Sequence, residues 1–187
     1  NEPERRYEYD EYGKVTKLYD EGTVVDYEYD EEGRLIKETY SSRKSGKEKS
    51  YFLYEYNEYD ELIKKSECKP SGVVENYTEY AYGIDGVRKE SYYNENGVLG
   101  YEYVYTYEEG KVSRKTRVSY YMIDGVQCSD IHDYVDYEYD EAGNLVRERD
   151  YVVSAEGEGV YTDSTMYEYD LQGRLIKIYS SLAVNND

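Results

Sequence analysis

Tyrosines alternate with acidic residues in short stretches along the chain, a period of two that predicts β-strands with their aromatic side chains on one face. Tyr27-Glu28-Tyr29 shows the pattern, and a polar turn and the aliphatic Leu35 follow it. Seven such pairs occur, and they begin at Tyr7, Tyr27, Tyr54, Tyr80, Tyr105, Tyr137 and Tyr167. One copy every 20 to 32 residues indicates a repeat array in which each copy packs on its neighbours.

Each copy is predicted to be a β-hairpin. The segment from Asp30 to Gly33 is typical of a type I turn followed by a glycine with positive φ. In that register Tyr29 should face Leu35 across the hairpin. Two residues further from the turn, Tyr27 should face Lys37.

The aliphatic residue after the turn, which we call the closing residue, recurs at a fixed distance. It lies eight residues after the first tyrosine in most copies, at Val15, Leu35, Leu62, Leu145 and Leu175, and seven residues after it at Val87 and Val112. The two shorter turns, Asp85-Gly86 and Glu109-Gly110, predict type I′ hairpins. In the third copy Asp60 replaces the glycine, so we expect it to adopt the left-handed conformation.

Three copies carry a longer motif, Tyr-x-Tyr-Asp-x-x-Gly-Arg/Asn-Leu. Its residues are Tyr27, Tyr29, Asp30, Gly33, Arg34 and Leu35, then Tyr137, Tyr139, Asp140, Gly143, Asn144 and Leu145, then Tyr167, Tyr169, Asp170, Gly173, Arg174 and Leu175. The motif resembles the YD repeat of the RHS and YD-repeat family, and the resemblance covers nearly the whole chain. It implies strands that wind into a spiral β-sheet shell, which encloses a cargo polypeptide in large bacterial toxins and forms an extracellular adhesion scaffold in animal teneurins.

We therefore expect one all-β domain over residues 1–187. It should be a repeat array of about seven antiparallel β-hairpins, or about 14 strands, in an open, curved spiral sheet. Helical periodicity of 3.6 residues is absent, so no helix is expected. An open sheet exposes its first and last strands, near Tyr7 and Ile178, and an edge-strand homodimer favoured by salt is a further expectation.

Composition narrows the classes of partner. Thirty tyrosines, no Trp and a mean hydropathy of -1.02 predict a thin core that is partly wet. The 23 basic and 42 acidic residues give a net charge of -19, which argues against nucleic acid and anionic lipid as partners. No apolar run is long enough for membrane insertion. The first residue is Asn1 rather than Met, and we interpret this as a cleaved export signal, which predicts an extracellular or cell-envelope location in a bacterium.

Catalytic and metal chemistry has weak support in the sequence. Asp10, Asp30, Asp140 and Asp170 fall at equivalent turns, and accepting local N–H bonds explains them better than binding Ca²⁺ does. His132 is the only histidine, and Cys68 and Cys128 either pair or lie as small residues in strands. We expect no enzyme activity, no cofactor and no metal.

Tyrosine rings suit sugar stacking or a protein partner, although the Tyr-x-Tyr rows are explained more simply as the core. The candidate binding residues are the tyrosines outside those rows, namely Tyr40, Tyr92, Tyr93, Tyr120 and Tyr121. The sequence thus favours a non-enzymatic binding module for carbohydrate or protein. The alternative is a fragment of a larger RHS-type toxin-delivery shell, and a carbohydrate-active enzyme is a third hypothesis.

Overall fold

The computed structural model describes residues 5–182. Within them the chain forms fourteen strands in sequence order and no helix, as the sequence predicts. The strands are β1 (Arg6–Tyr9), β2 (Val15–Asp20), β3 (Thr23–Tyr29), β4 (Leu35–Ser42), β5 (Glu48–Tyr56), β6 (Leu62–Cys68), β7 (Val74–Gly83), β8 (Gly86–Asn94), β9 (Leu99–Glu108), β10 (Lys111–Ile123), β11 (Val126–Tyr139), β12 (Leu145–Val153), β13 (Gly159–Tyr169) and β14 (Leu175–Leu182).

The strand order in the sheet is the order in the sequence, from β1 to β14. Each Tyr-x-Tyr pair lies at the end of an odd-numbered strand, and the closing residue lies at or near the start of the next strand. In the part of the chain that is described, β1 and β14 are the edge strands. The predicted open, all-β array of antiparallel hairpins is confirmed.

The chain divides into two compact units. The first comprises the residues up to Tyr80 together with Tyr92–Val98, and the second comprises Ala81–Ser91 and the residues from Leu99 onward. Both are built from the same hairpins. The assignment of residues 1–187 to a single domain stays a prediction.

The hairpin turns have the predicted conformation. In the second copy Gly33 N donates to Asp30 O and Asp30 N donates to Arg34 O, each at 3.0 Å. Gly33, Gly143 and Gly173 have φ of 84°, 89° and 75°, the left-handed region that the bulge after a type I turn requires. Asp60 takes the same place with φ of 62°, as predicted.

One of the two short turns differs from its prediction. Glu109 and Gly110 both have positive φ, 50° and 74°, as a type I′ hairpin requires. In the fourth copy the turn residues are instead Ile84 and Asp85, neither with positive φ, and Gly86 at 121° follows them. The positive φ thus falls on the glycine alone, which avoids the cost of about 1–2 kcal/mol for a left-handed residue with a Cβ.

The register beyond the turn is shifted by one residue. Tyr29 pairs with Leu35 as predicted, but Tyr27 pairs with Glu38 and not with Lys37, because a β-bulge lies between the two pairs. Ile36 is the extra residue, and the third, sixth and seventh copies have the same bulge before their closing residue. The bulge brings Glu38 onto the face of the sheet that carries Tyr27 and Tyr29. We call this face, in either unit, the tyrosine face.

The core is as thin as the composition predicts. Val25 and Cys68, at 4% and 1% exposure, are the buried hydrophobic side chains among residues 5–182. The tyrosines of the Tyr-x-Tyr pairs in β3, β11 and β13 are half-buried or partly exposed instead. Stability therefore depends on contacts between neighbouring strands more than on a dry interior.

Replacing Gly143 with Val should destabilise the protein by about 1–2 kcal/mol, since a β-branched residue fits φ of 89° poorly. Urea unfolding measures the effect. Ala142→Val, at the preceding exposed turn residue without positive φ, is the matched control and should cost less. Equal stability of Gly143→Val and the wild type would contradict the turn assignment.

Candidate functional site

In five of the seven Tyr-x-Tyr pairs the second tyrosine reaches back to the preceding hairpin. In the first unit Tyr29 Oη donates to the carbonyl oxygen of Val15 and Tyr56 Oη to that of Leu35, both at 2.8 Å. In the second unit the same bond joins Tyr107 to Val87, Tyr139 to Val112 and Tyr169 to Leu145, at 2.7, 3.0 and 2.9 Å. The acceptor is always a closing residue, so the hydroxyl fastens one copy to the copy before it.

These carbonyl groups lie where neighbouring hairpins have separated. Backbone pairing between β4 and β5 starts at Lys37 and Leu53, two residues beyond Leu35. Pairing between β12 and β13 likewise starts at Arg147, two residues beyond Leu145. A buried carbonyl oxygen that lacks a hydrogen-bond donor costs about 1–3 kcal/mol. The tyrosine hydroxyl therefore replaces a hydrogen bond that the strands no longer make.

Cations from the preceding hairpin cover these rings. Lys14 Nζ lies 5.3 Å from the Tyr29 centroid, and the guanidinium carbon of Arg34 lies 5.1 Å from that of Tyr56. Arg34 Nε also donates to Asp30 Oδ2 at 2.7 Å. The arginine of the repeat motif thus braces its own turn and packs on the tyrosine of the next copy.

The hydroxyls of Tyr29, Tyr56 and Tyr139 have a raised pKa and so remain donors over the whole physiological range. Burial, followed by the nearby carboxylate Asp10, raises the pKa of Tyr29. Burial likewise comes first among the causes that raise the pKa of Tyr56 and of Tyr139. A protonated hydroxyl is required because a carbonyl oxygen can only accept.

Charged residues alternate on the tyrosine face three positions after the closing residue. The residues at this position are Leu18, Glu38, Lys65, Glu90, Lys115, Glu148 and Ile178. Tyr40 donates to Glu38 at 3.0 Å, Tyr105 to Glu90 at 2.9 Å and Tyr167 to Glu148 at 3.1 Å. The glutamates of this row are thus solvated by tyrosine hydroxyls.

The lysines of the same row lie over aromatic rings. Lys65 Nζ is 4.6 Å from the Phe52 centroid, and Lys115 Nζ is 3.9 Å from that of Tyr103. Burial, with hydrogen bonding to Glu38, raises the pKa of Tyr40 to about 12. Burial and Glu90 raise the pKa of Tyr105. The row is therefore an internal network rather than an open set of charges.

A second carboxylate network lies on the opposite face of the second unit. Glu102 is only 6% exposed and accepts bonds from Ser91 Oγ, Lys89 Nζ and Tyr120 Oη, each at 2.7 Å. Burial acts to raise the pKa of Glu102, but the bonds from Lys89, Tyr120 and Ser91 hold it below its ordinary value. In the sequence Glu102 alternates with Tyr101 and Tyr103, which is typical of a solvent-exposed carboxylate. Nothing in its local sequence indicates that it is buried.

Two carboxyl groups face each other between β12 and β13. Asp150 and Asp163 are direct cross-strand partners on the tyrosine face. Burial, together with a hydrogen bond and like charge from Asp163 and repulsion from Glu148 and Asp133, raises the pKa of Asp150 to about 6. Opposed like charges destabilise a strand pair, so the pairing of β12 with β13 is weaker when both groups are ionised.

The five tyrosines that the sequence singles out as binding residues divide between the two units. In the first unit Tyr40 lies on the tyrosine face, with its ring edge-on to Phe52 at 5.6 Å. Tyr92 and Tyr93 are consecutive in β8, so they point to opposite faces. Tyr93 stacks on Tyr77 with centroids 4.7 Å apart.

The two candidates in the second unit also point apart. Tyr120 is engaged with Glu102, and Tyr121 Oη donates to Asp130 Oδ2 at 2.5 Å. Tyr121 is 41% exposed. Neither unit collects its candidate tyrosines on one face.

The other candidate groups have local roles. Asp10, Asp30, Asp140 and Asp170 each accept the backbone N–H of the residue four positions on, at 2.8–2.9 Å, which confirms them as turn-forming residues. Cys68 and Cys128 are both free thiols. His132 Nδ1 lies 2.6 Å from Asp133 Oδ2 at an exposed position. Over residues 5–182, no group of three or more His, Cys, Asp or Glu side chains is placed to hold a metal.

A shallow groove of about 620 Å³ lies beside the turns of the second unit. It is lined by Glu108, Glu109, Lys111, Ser113, Tyr137, Tyr139 and Asp140. It marks the place where the β9–β10 and β11–β12 hairpins separate, since pairing between β10 and β11 starts at Arg114. Lys111 and Tyr139 already contact each other within it.

Comparison with known families agrees with the repeat geometry. The sequence profile of the RHS repeat matches residues 9–45, which run from the end of β1 through the whole of β4. The matched segment comprises 37 of the 187 residues. The resemblance indicated by the motif at Tyr27 to Leu35 is thereby confirmed. The sequence matches no curated protein.

Toxin complexes are among the solved structures that are similar to this chain. The Tc holotoxin pore of Photorhabdus luminescens matches with a TM-score of 0.54 at 17% identity, over 95% of this chain and 9% of that chain. The TcdB2-TccC3 complex without its hypervariable C-terminal region matches with a TM-score of 0.44 at 16% identity, over 92% of this chain and 10% of that chain. The first match shows a shared fold, and the present chain spans about a tenth of these toxin chains. No helix in the described residues is long and apolar enough to cross a membrane.

Replacing Tyr56 with Phe should destabilise the protein by about 1–2 kcal/mol, because the Leu35 carbonyl loses its donor while the ring is kept. Urea unfolding measures the loss. Tyr59→Phe, three residues on and 75% exposed, is the control and should leave stability within about 0.5 kcal/mol of the wild type. Equal effects of the two substitutions would show that the hydroxyl bond does not join the copies.

Replacing Asp163 with Asn should flatten the pH dependence of stability. The pKa of Asp150 in the folded state, about 6, lies above its ordinary 3.8, so between these values the folded protein binds more protons than the unfolded chain. The free energy of unfolding therefore falls as the pH rises through that window. Thermal unfolding from pH 4 to pH 7 should show a smaller fall for Asp163→Asn, and a higher melting temperature than the wild type at pH 7.

Asp124→Asn is the matched control for this prediction. Asp124 is an exposed turn residue with φ of 50°, a conformation that Asn tolerates, and the substitution removes the same charge. Its pH dependence should follow the wild type. A slope for Asp163→Asn equal to that of Asp124→Asn would contradict the coupling of Asp150 and Asp163.

Proposed function

We propose that the RHS-repeat chain is a non-enzymatic wall segment of a larger RHS-type shell. The observation that carries the proposal is the tyrosine-to-carbonyl joint, which recurs with the same donor and acceptor positions from copy to copy. A joint that is identical at each step suits a surface that grows by adding hairpins. The RHS repeat at residues 9–45 and the fold shared with a stretch of the Tc holotoxin pore support this role.

The use of charged groups also supports a structural role. Glu38, Glu90 and Glu148 accept hydrogen bonds from tyrosines, and Glu102 is enclosed by three donors. Carboxylates engaged in this way stabilise strand contacts and are poorly placed for acid–base chemistry, which needs a group presented to a substrate. An extracellular or cell-envelope location in a bacterium is part of the proposal, supported by the resemblance to toxin shells and adhesion scaffolds.

A binding module for carbohydrate or for a protein is the second candidate. The exposed ring of Tyr121 and the stacked pair Tyr77 and Tyr93 favour it, since flat tyrosine surfaces suit sugars and protein partners. The wall role ranks first because adjacent candidates, Tyr120 and Tyr121 for example, point to opposite faces.

Hydrogen exchange on the full-length product of the gene, compared with residues 1–187 alone, tests the wall role. We expect the β14 amides to exchange at least about tenfold more slowly in the full-length product, because a neighbouring strand covers this edge. Electron microscopy of the same sample should show these strands within a continuous wall. Equal exchange, with β14 bare in the images, would overturn the proposal.

A glycan array run on the same material tests the second candidate. Glycan binding that Tyr121→Ala abolishes and the exposed-ring control Tyr12→Ala leaves intact would favour the module. Tyr12 is 81% exposed in a turn, so its loss should change neither fold nor binding.

A further inference from the structure

We use "interior joint" for the pairing of the second strand of one hairpin with the first strand of the next. β14, the second strand of the seventh hairpin, presents an apolar edge with the geometry of such a joint. Leu175, Ile176 and Ile178 are 47%, 63% and 57% exposed. The equivalent residues of β4, Leu35, Ile36 and Glu38, are half-buried, and β5 pairs with β4 from Lys37 onward. The seventh copy therefore exposes the surface that the second copy covers with the next hairpin.

The interior joints follow a charge rule at one position. Two residues after the closing residue lies a cation, and in five interior joints it faces the residue just before the next Tyr-x-Tyr pair. Lys17 faces Asp26 and binds it, with Nζ 2.8 Å from Oδ1. Arg114 faces Asp136 and is bound to it through two nitrogens. In these joints the next strand supplies the anion.

Two joints follow a different form of the rule, because the cation is already paired inside its own hairpin. Lys37 Nζ lies 3.1 Å from Glu28 Oε1, and the residue that faces Lys37 from the next strand is the apolar Leu53. Arg147 Nη1 lies 3.5 Å from Glu138 Oε2, and it faces the apolar Met166. A satisfied cation is thus matched by an apolar neighbour.

β14 belongs to this second class. Lys177 Nζ lies 3.3 Å from Glu168 Oε1 within its own hairpin, as Lys37 does from Glu28. The residue after Lys177 is Ile178, which lies on the tyrosine face. The second copy has Glu38 at this position, opposite Phe52 of the next strand. In a strand added beside β14, the two residues that face Lys177 and Ile178 should therefore both be apolar.

We propose that the β14 edge binds a strand with two apolar residues immediately before a Tyr-x-Tyr pair, of the kind that Phe52 to Tyr56 provide in this chain. The second tyrosine of that strand donates its hydroxyl to the carbonyl of Leu175, as Tyr56 does to Leu35. The inference rests on the proposed wall role and adds which strand comes next. The mode of binding is addition of a strand to a sheet edge.

The same rule disfavours a second copy of this chain joined through β1. The residues before its first Tyr-x-Tyr pair are Arg5 and Arg6. In the interior register Arg6 would face Lys177 and Arg5 would face Ile178. A like-charge pair and a charged residue against an apolar one both weaken such a joint.

A labelled synthetic peptide of residues 48–68 with Cys68→Ser, added to the full 187-residue chain, tests the proposal. We expect the peptide to bind in a fluorescence-anisotropy titration and to slow hydrogen exchange at the β14 amides. A peptide with Phe52→Arg and Leu53→Arg, which imitates the start of β1, should bind at least about tenfold more weakly.

Two variants of the 187-residue chain test whether the peptide binds at the β14 edge. Ile178→Lys, on the exposed edge, should weaken binding of the unaltered peptide at least about tenfold, whereas Ile84→Lys, at a turn residue 98% exposed, should not change it. Equal binding of both peptides, or an Ile178→Lys chain that binds as the wild type does, would overturn the proposal. A dimer of the chain in sedimentation that Ile178→Lys dissociates would overturn it in favour of a second copy.

The wall role can fail separately from this strand preference. If β14 is protected in the full-length product and the peptide does not bind, the wall role stands and the strand preference is wrong. If the peptide binds and the full-length product leaves β14 bare, the edge recognises the strand but the chain is not a wall segment.

Discussion

The hydrogen bond from a tyrosine hydroxyl to the carbonyl of the preceding closing residue is the interaction on which the rest of the structure depends. The hairpins pair only from two residues beyond the closing residue, as at Lys37 and Leu53, so their turn ends diverge. A ring long enough to span the gap, with a donor at its tip, closes it. This requirement explains why the second aromatic position of each pair is a tyrosine.

The thin sheet also determines how the charged side chains are used. A chain with a net charge of -19 has few cations, and many of them act twice. Arg34 holds Asp30 and packs on Tyr56, and Lys37 pairs with Glu28 and lies over Tyr51. The opposed carboxyl groups of Asp150 and Asp163 depart from this arrangement and make one joint sensitive to pH.

Two kinds of position serve two purposes in the array. The second tyrosine is the same in every copy and the closing residue is always Val or Leu, so these positions join hairpins without distinguishing them. The row that contains Glu38, Lys65 and Ile178 differs from copy to copy. Across the joints Glu38 faces Phe52, and Lys65 and Glu148 both face a threonine. The row therefore varies the charge of the tyrosine face from copy to copy.

The sequence by itself determined the elements and the closing pairs. Strands follow from the period of two, and the turns follow from Asp-x-x-Gly, because both depend on residues close together in the chain. The pairing of Tyr29 with Leu35 could be predicted for the same reason. Only the tertiary structure placed Tyr27 opposite Glu38, enclosed Glu102 between β8 and β10, and turned Tyr120 and Tyr121 to opposite faces with different partners. These outcomes depend on a bulge and on neighbouring strands distant in sequence, and the free energy of a buried charge is set by the groups that surround it in space.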